Sequence, residues 1–279
     1  MNETQRELIK IAFEVTYEKT IEKVIGPTLD DFGEDLRKWT ARRKGNFKRI
    51  VENAWKKLGS KTEIYGQVNS RVLKGILSEG TFCDDELMAE YFGGVLASSR
   101  SDISRDDRGA SFVALIGRLT TYQIRAHYIF YNTLKILFDG RTDISVMSSK
   151  YRNKLEVFFP NDSFNLAMEF TEKEDVSVIL PSVMSGLARE SLIEKDFEVI
   201  GGEKTAFCGG NGLIFCPTDL GTELFLWVHG KNNIPVKDFL KPEHKFSVEL
   251  NIPLPKNYKS VDKVLEHHKE LSKRIKPEF

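Results

Sequence analysis

The chain contains few cysteines, and that scarcity limits the chemistry it can support. Its 279 residues include three, Cys83, Cys208 and Cys216. An odd number of cysteines fits a reducing compartment better than a disulfide framework. Cys208 and Cys216 have no nearby histidine partner, whereas a structural zinc site needs four ligands in recognisable pairs. The sequence therefore predicts neither a disulfide scaffold nor a metal site, and it predicts no cofactor.

Net charge and long apolar runs are also lacking. Lys plus Arg and Asp plus Glu number 41 each, so the formal net charge is zero, and no global attraction to nucleic acid or membranes follows. No run approaches the roughly 18 apolar residues of a membrane-spanning helix. The charged start MNETQRELIKIAFEV has no signal-peptide core. We therefore expect a cytoplasmic protein without membrane association.

Local catalytic motifs are absent as well. The chain has no Gly-x-Ser-x-Gly elbow, no phosphate loop ending in Gly-Lys-Ser/Thr and no His-Glu-x-x-His zinc motif. No histidine follows an arginine at the spacing used by a common family of helical defence ribonucleases. The enzyme hypothesis that remains is a hydrolase or nuclease assembled from distant residues, with His127 and carboxylates in one cleft.

What is present is clearest between residues 68 and 100, around an acidic turn. Apolar residues recur at three- and four-residue spacing over residues 68–77, which predicts one helical face. Gly80 is predicted to end this helix in the left-handed conformation. The acids Asp84, Asp85 and Glu86 are interpreted as the capped start of the next helix rather than as a catalytic or metal cluster.

Two further helices are predicted after this turn. The first is apolar over residues 87–96 and contains Gly93 and Gly94. Each glycine costs about 1 kcal/mol relative to alanine, so we interpret both as contacts with a neighbouring helix. The second begins near Asp107 and is predicted to run for roughly 30 residues, about 45 Å if unbroken. His127 lies within it and is interpreted as a hydrogen-bonded helix residue.

Positive charge is concentrated before the turn. Residues 37–61 contain ten Lys and Arg residues against Glu52 alone, with aromatic and aliphatic residues between them. One hypothesis is a basic helical face that binds phosphate or an acidic partner. The alternative is a solvated helix face whose lysine stems cover the core, with the preceding acids at residues 30–35 pairing internally with part of the charge. The candidate binding residues are Arg37, Lys38, Arg42, Arg43, Lys44, Lys48 and Arg49.

The helical pattern fades between Asp139 and Asn153, which indicates a domain boundary. We predict a mainly α protein in which an N-terminal multi-helix domain is followed by an α+β winged-helix-like domain. The predicted ranges are 1–145 for the helical interaction domain and 146–250 for the winged-helix-like domain. A charged tail helix with exposed His267 and His268 is predicted within 251–279.

The later region resembles a winged helix in its order of elements. A strand over residues 155–159 is followed by a predicted helix pair broken at Pro181, then a strand near Val199, a glycine turn and another strand. Pro217, Thr218 and Gly221 match the way such domains often close. In this interpretation Arg189 on the recognition helix and Lys204 in the wing would contact phosphate.

The stretch from about Val24 to Leu137 resembles the Abi-alpha (abortive infection alpha) family of bacterial proteins. The resemblance rests on Ile25-Gly26-Pro27, the basic helix from Trp39 to Trp55, the acidic start at Asp84-Asp85-Glu86-Leu87, Val95-Leu96-Ala97-Ser98 and Ser111-Phe112-Val113. Where family members usually carry Trp and Asn before a Leu-Leu-Ala run, this chain has Tyr91-Phe92-Gly93-Gly94-Val95-Leu96-Ala97. The resemblance implies a role in limiting phage growth and supplies no catalytic residues.

Our leading hypothesis is therefore a non-enzymatic phage-defence protein that binds a protein partner or forms a homo-oligomer. Nucleic acid is the second class of partner considered. The competing hypotheses are a winged-helix nucleic-acid-binding regulator and the hydrolase or nuclease described above.

Overall fold

A computed structural model of the chain describes Thr20, Lys23, Val24 and residues 41–199, 201–246 and 250–274. Contacts divide the chain into two compact units. Unit 1 comprises Met1–Arg118 with Trp227–Asn232, and unit 2 comprises Leu119–Leu226 with Asn233–Phe279. The predicted boundaries at residues 145 and 250 rest on composition rather than on contacts, and they stay predictions.

Over the described residues the protein is mainly helical, with a small four-stranded antiparallel sheet in the C-terminal half, which confirms the predicted class. No helix in this part of the chain is long and apolar enough to cross a membrane.

From residue 41 to residue 118, unit 1 contains four α-helices and a two-stranded antiparallel ladder. Helix α3 packs against α1, and α2 packs against α4. The elements are α1 (Ala41–Leu58), β1 (Gln67–Val68), α2 (Ser70–Glu79), α3 (Glu86–Ser98), β2 (Arg100–Ser101) and α4 (Gly109–Arg118).

Unit 2 places its helices around the sheet, whose strand order is β4-β5-β3-β6. Phe130 of α5 stacks on Phe215 of β5 with ring centroids 4.4 Å apart, and Phe164 of α7 lies 5.5 Å from the same ring of Phe130. The elements are α5 (Thr121–Phe138), α6 (Ser149–Arg152), β3 (Val157–Pro160), α7 (Asn161–Met168), α8 (Val176–Arg189), β4 (Glu198–Val199), α9 (Glu203–Phe207), β5 (Gly212–Phe215), α10 (Asp219–Val228), β6 (Lys259–Ser260) and α11 (Val261–Arg274). The last two residues of α10, Trp227 and Val228, belong to unit 1.

The helix predicted before the acidic turn is present as α2, with two corrections at its ends. Val68 lies in strand β1, paired with Arg100, because the Asn69 side chain caps α2 by accepting from the Arg71 amide. Gly80 was predicted to be left-handed, but its φ is −65° and it begins a 3₁₀ turn. The site is tightly packed, since an added Cβ would lie 2.8 Å from Ile50 Cδ1 and 3.1 Å from the Phe92 ring.

The long helix predicted from Asp107 is in fact two helices. Helix α4 ends at Arg118 and α5 begins at Thr121. Between them Thr120 and Gln123 form a capping box: the Gln123 amide donates to Thr120 Oγ1 at 3.3 Å, and the Thr120 amide donates to Gln123 Oε1 at 2.9 Å. The box satisfies free amides at the new helix start, so the break is stabilised.

The opposite correction applies at Pro181, which was predicted to divide a helix pair. Helix α8 runs through it from Val176 to Arg189. Its start is held by Asp175, which accepts from the Ser177 amide, and the buried residues Val183 and Leu187 keep the following turns against the core. Packing of this apolar face offsets the lost proline hydrogen bond.

Candidate functional site

Five residues of the candidate basic face lie on α1, and two of them, Arg42 and Arg49, contact the acidic turn of the same unit. Arg42 forms an ion pair with Asp84, with Nε 2.9 Å from Oδ1. Asn46 Nδ2 donates to the same Oδ1 at 3.1 Å, and Arg49 Nη1 donates to the Asp84 carbonyl at 3.1 Å. Three residues of α1 therefore hold one residue of the turn.

Arg43 holds the segment just before that turn. Its guanidinium donates to the Leu77 carbonyl and to Thr81 Oγ1, both at 3.1 Å. It also lies 4.4 Å from the ring centre of Phe82, a cation–π contact. Arg43 is thus a structural contact of the 3₁₀ turn.

The remaining candidates differ in their surroundings. Lys48 lies 3.8 Å from Glu52, one turn later on α1, while Lys44 is exposed on the same helix. Arg37 and Lys38 lie outside the described residues, as do the acids of residues 30–35. Contacts within unit 1 hold Arg42, Arg43 and Arg49, and of these Arg42 pairs with the Asp84 carboxylate. The predicted pairing with the acids of residues 30–35 stays a prediction.

The other acids of the turn start helix α3. Asp85 is its N-cap, and the Met88 amide donates to Asp85 Oδ1 at 2.8 Å. Glu86 occupies the first turn, where a negative charge favours the helix dipole. The capping interpretation of these residues is confirmed.

Gly93 and Gly94 allow backbones to approach α3 closely. An added Cβ on Gly93 would lie 2.6 Å from Asn53 Cβ and 2.8 Å from the Ile50 carbonyl oxygen of α1. At Gly94 it would overlap the carbonyl group of Val228, which belongs to the same unit. The predicted packing role is confirmed.

In unit 2 the two proposed phosphate contacts lie in different settings. Arg189 is the last residue of α8, is largely exposed, and has Nε 3.8 Å from Glu190 Oε1. Lys204 lies on the short helix α9, where its Nζ is 2.9 and 3.1 Å from the two carboxylate oxygens of Glu156. Burial opposes the Lys204 charge, but Glu156 outweighs it and raises the pKa of Lys204. Lys204 therefore anchors α9 to the residue before β3.

His127 is fully buried in unit 2 and makes a backbone hydrogen bond. Its Nε2 is 3.0 Å from the Gly221 carbonyl oxygen, so Nε2 carries the proton and donates. Burial disfavours the imidazolium and lowers the pKa of His127 from 6.5 to about 3, although the Gly221 bond opposes this shift. The interpretation as a hydrogen-bonded helix residue is confirmed.

The residues that resemble a winged-helix closure belong to the same network. Tyr131 donates to the Leu192 carbonyl at 2.7 Å and accepts from the Thr218 amide at 3.0 Å. Thr218 Oγ1 donates to the Ser191 carbonyl at 2.7 Å and accepts from the Gly221 amide at 3.0 Å. These contacts hold the start of α10, which includes the Gly221 carbonyl that accepts the hydrogen bond from His127.

Replacing His127 with glutamine should make the free energy of unfolding less dependent on pH under acidic conditions. The folded-state pKa lies below the unfolded value of 6.5, so the stabilisation is complete above pH 6.5 and is lost as pH falls towards 3. When the pH is lowered from 7.5 to 5, the free energy of unfolding should fall by about 2 kcal/mol more in the wild type than in the variant. Urea unfolding at both pH values measures this difference; equal losses would contradict the buried neutral state.

The structure also contains a groove in unit 2 that sequence reasoning did not find. It is bounded by the end of α9, strand β6 and helix α11, and has a volume of about 530 Å³. Phe207, Lys259, Lys263, His267 and His268 are among its lining residues. The spacing of Lys263, His267 and His268 on α11 was visible in the sequence. The residue that faces them, Phe207, is distant in sequence and could not be found in this way.

The cysteines and other metal-binding side chains are dispersed. All three cysteines are free thiols, and burial raises the pKa of Cys216 to about 12, which disfavours its thiolate. Over the described part of the chain, no group of three His, Cys, Asp or Glu residues is placed to hold a metal ion.

Comparison with known proteins identified no matching family model, no matching curated protein and no matching solved structure.

Proposed function

We propose that this chain is a bacterial phage-defence protein that acts in the cytoplasm by binding rather than by catalysis. In this proposal the helical unit binds a protein partner or a second copy of the chain. Unit 2 is a winged-helix-like domain that binds a partner or nucleic acid.

The observation that carries the proposal is where the resemblance residues lie in unit 1. Asp85 caps α3, Val95 and Leu96 are fully buried on the same helix, and Phe112 and Val113 are buried on α4. These described residues of the resemblance build the core of this unit and the start of α3. This supports a shared helical domain and, through it, the phage-defence role.

The topology of unit 2 supports the winged-helix-like assignment. Helices α7 and α8 are followed by β4, the short helix α9, the turn at residues 208–212 and β5, and the two strands pair antiparallel. Lys204, expected in the wing, lies on α9. Strand β3 pairs with the other edge of β5. Arg189 projects from the end of α8, the helix that would serve for recognition, and its side chain is 72% exposed.

The surroundings of His127 favour binding over the hydrolase hypothesis. That hypothesis places His127 in a cleft with carboxylates, where a general base needs access to substrate. The side chain is 0% exposed and donates to a backbone carbonyl. A neutral, enclosed imidazole held in this way stabilises the fold.

Phage plating tests the proposal. Bacteria expressing the chain should support fewer plaques of at least one phage than bacteria with an empty vector. The expected drop in efficiency of plating is tenfold or more, since abortive infection removes whole bursts. Equal plating across a broad phage panel, with the protein shown to accumulate, would contradict the proposal.

A further inference from the structure

The groove in unit 2 has a preformed floor. Cys208 is 2% exposed and packs with Phe158, Ile214 and Val261. Lys259 Nζ donates to the Cys208 carbonyl at 3.1 Å, which ties β6 to the turn after α9. Because buried contacts and a hydrogen bond fix the floor, a ligand would enter it with little reorganisation.

One wall of the groove is formed by a face of α11 that carries a lysine and two histidines. Lys263, Val264, His267 and His268 follow one another at helical spacing, so their side chains project from one side of the helix. With Lys259 they bring two lysines and two histidines to the same space. None of the described residues that line the groove is acidic.

The acidic residues of α11 are not among the residues that line the groove. The pKa of Arg141 is raised chiefly by its hydrogen bond to Asp143, and the charges of Asp262 and Glu266 add to the effect. Neither of these two acids lines the groove, nor does Glu270 of the same helix, whereas Lys263 does.

The opposite wall supplies an aromatic ring. Phe207 ends α9, is 47% exposed, and meets the His268 ring edge-on at a centroid distance of 5.9 Å. Leu137 and Val264 add apolar surface. A partly exposed ring in a groove that also contains two lysines suits a ligand with a planar base and a phosphate, since bases stack on aromatic side chains and phosphates attract lysine.

We propose that this groove binds a nucleotide unit, with its phosphate near Lys263 and His267 and its base against Phe207. The same chemistry is present in a free nucleotide and in a single-stranded nucleic acid, and the volume of about 530 Å³ lies in the range of small-molecule sites. The proposal rests on the groove alone and does not depend on the phage-defence role.

Equilibrium binding to the full chain at low salt tests this site. The probes are adenosine triphosphate with a fluorescent ribose label, then unlabelled adenosine, inorganic pyrophosphate and a short oligodeoxyadenylate as competitors. The labelled nucleotide should bind, and adenosine or pyrophosphate alone should compete at least tenfold more weakly than unlabelled adenosine triphosphate. If the oligonucleotide competes more strongly than unlabelled adenosine triphosphate, the ligand is a nucleic-acid strand. If it competes more weakly, the ligand is a free nucleotide. Either result supports a site for a nucleotide unit.

Matched variants locate the binding. Lys263→Gln should weaken it about tenfold, because it removes a charged hydrogen-bond donor, and Lys263→Arg should restore most of it. Phe207→Leu should weaken it about fivefold or more through lost stacking. Lys269→Gln, an exposed change on the same helix outside the groove, should stay within twofold of wild type.

Two results would overturn the site. One is no binding of the labelled nucleotide by the folded wild-type protein at millimolar concentration. The other is an equal loss in Lys263→Gln and Lys269→Gln, which would show general electrostatic attraction. Unchanged unfolding midpoints verify that the variants fold, which is expected because the side chains of Lys263 and Lys269 are exposed and Phe207 is nearly half exposed.

Discussion

Gly94→Ala should destabilise the protein by about 3 kcal/mol or more, since overpacking that displaces backbone lies at the costly end of core substitutions. The new Cβ would overlap the Val228 carbonyl group, and a backbone group cannot move aside as a flexible side chain can. Gly94 is itself buried within α3. Urea unfolding followed by circular dichroism measures the loss, and a variant that fails to accumulate in folded form agrees with the expectation.

Gly45→Ala is the matched control, because it makes the same chemical change in a helix of the same unit. Gly45 is exposed on α1, and an added Cβ there would meet nothing within 4 Å. Helix propensity should then stabilise the variant by up to about 1 kcal/mol. If Gly94→Ala were as stable as Gly45→Ala, the close approach of α3 to the Val228 backbone would be wrong.

Glu90→Ala should cost about 3–5 kcal/mol, because it leaves a buried ammonium without its partner. Lys57 Nζ of α1 lies 2.5 Å from Glu90 Oε2 of α3, and the two side chains are 10% and 4% exposed. The pair therefore joins the two helices that contact each other at Gly93. Chemical unfolding near neutral pH measures the cost.

Two controls separate the charge from the packing at this pair. Asp107→Asn breaks the exposed pair with Arg71, whose N–O distance is 2.8 Å, and should cost less than about 1 kcal/mol. The double change Lys57→Met with Glu90→Leu removes both charges and should recover much of the stability lost in Glu90→Ala. If the double variant were no more stable than Glu90→Ala, the unpaired charge would not be the cause.

Local chemistry explains which parts of unit 1 the sequence could predict. The apolar spacing of α2 and the capping of α3 by Asp85 depend on neighbours within one or two helical turns. The break at Thr120 was equally local, since Thr and Gln at this spacing form a capping box. It was missed because apolar residues continue on both sides and mimic one long helix.

The candidate sites depended on contacts between distant residues. Arg42 and Asp84 are 42 positions apart, so the basic residues of α1 looked available until the fold placed the acidic turn against them. Phe207 and His268, which are 61 positions apart, likewise meet because α11 packs against α9. Pattern and spacing identify a helical face, but the element that covers it follows from tertiary packing.

The basic face and the acidic turn consequently form one structural feature. Asp84 accepts from residues of α1, while Asp85 caps α3, so the turn links two helices through adjacent acids. Because Arg42, Arg43 and Arg49 are used in contacts within unit 1, the groove beside α11 is the stronger candidate for a binding site.

We propose that the chain limits phage growth through its folded helical unit, and the efficiency of plating measures this effect directly. Wild type and Gly45→Ala should both reduce plaque numbers at least tenfold relative to an empty vector. Gly94→Ala, expressed from the same promoter, should lose this protection because its unit 1 is not stably folded. Plaque numbers equal to the empty vector for an abundant, folded wild-type protein across a broad phage panel would contradict the account.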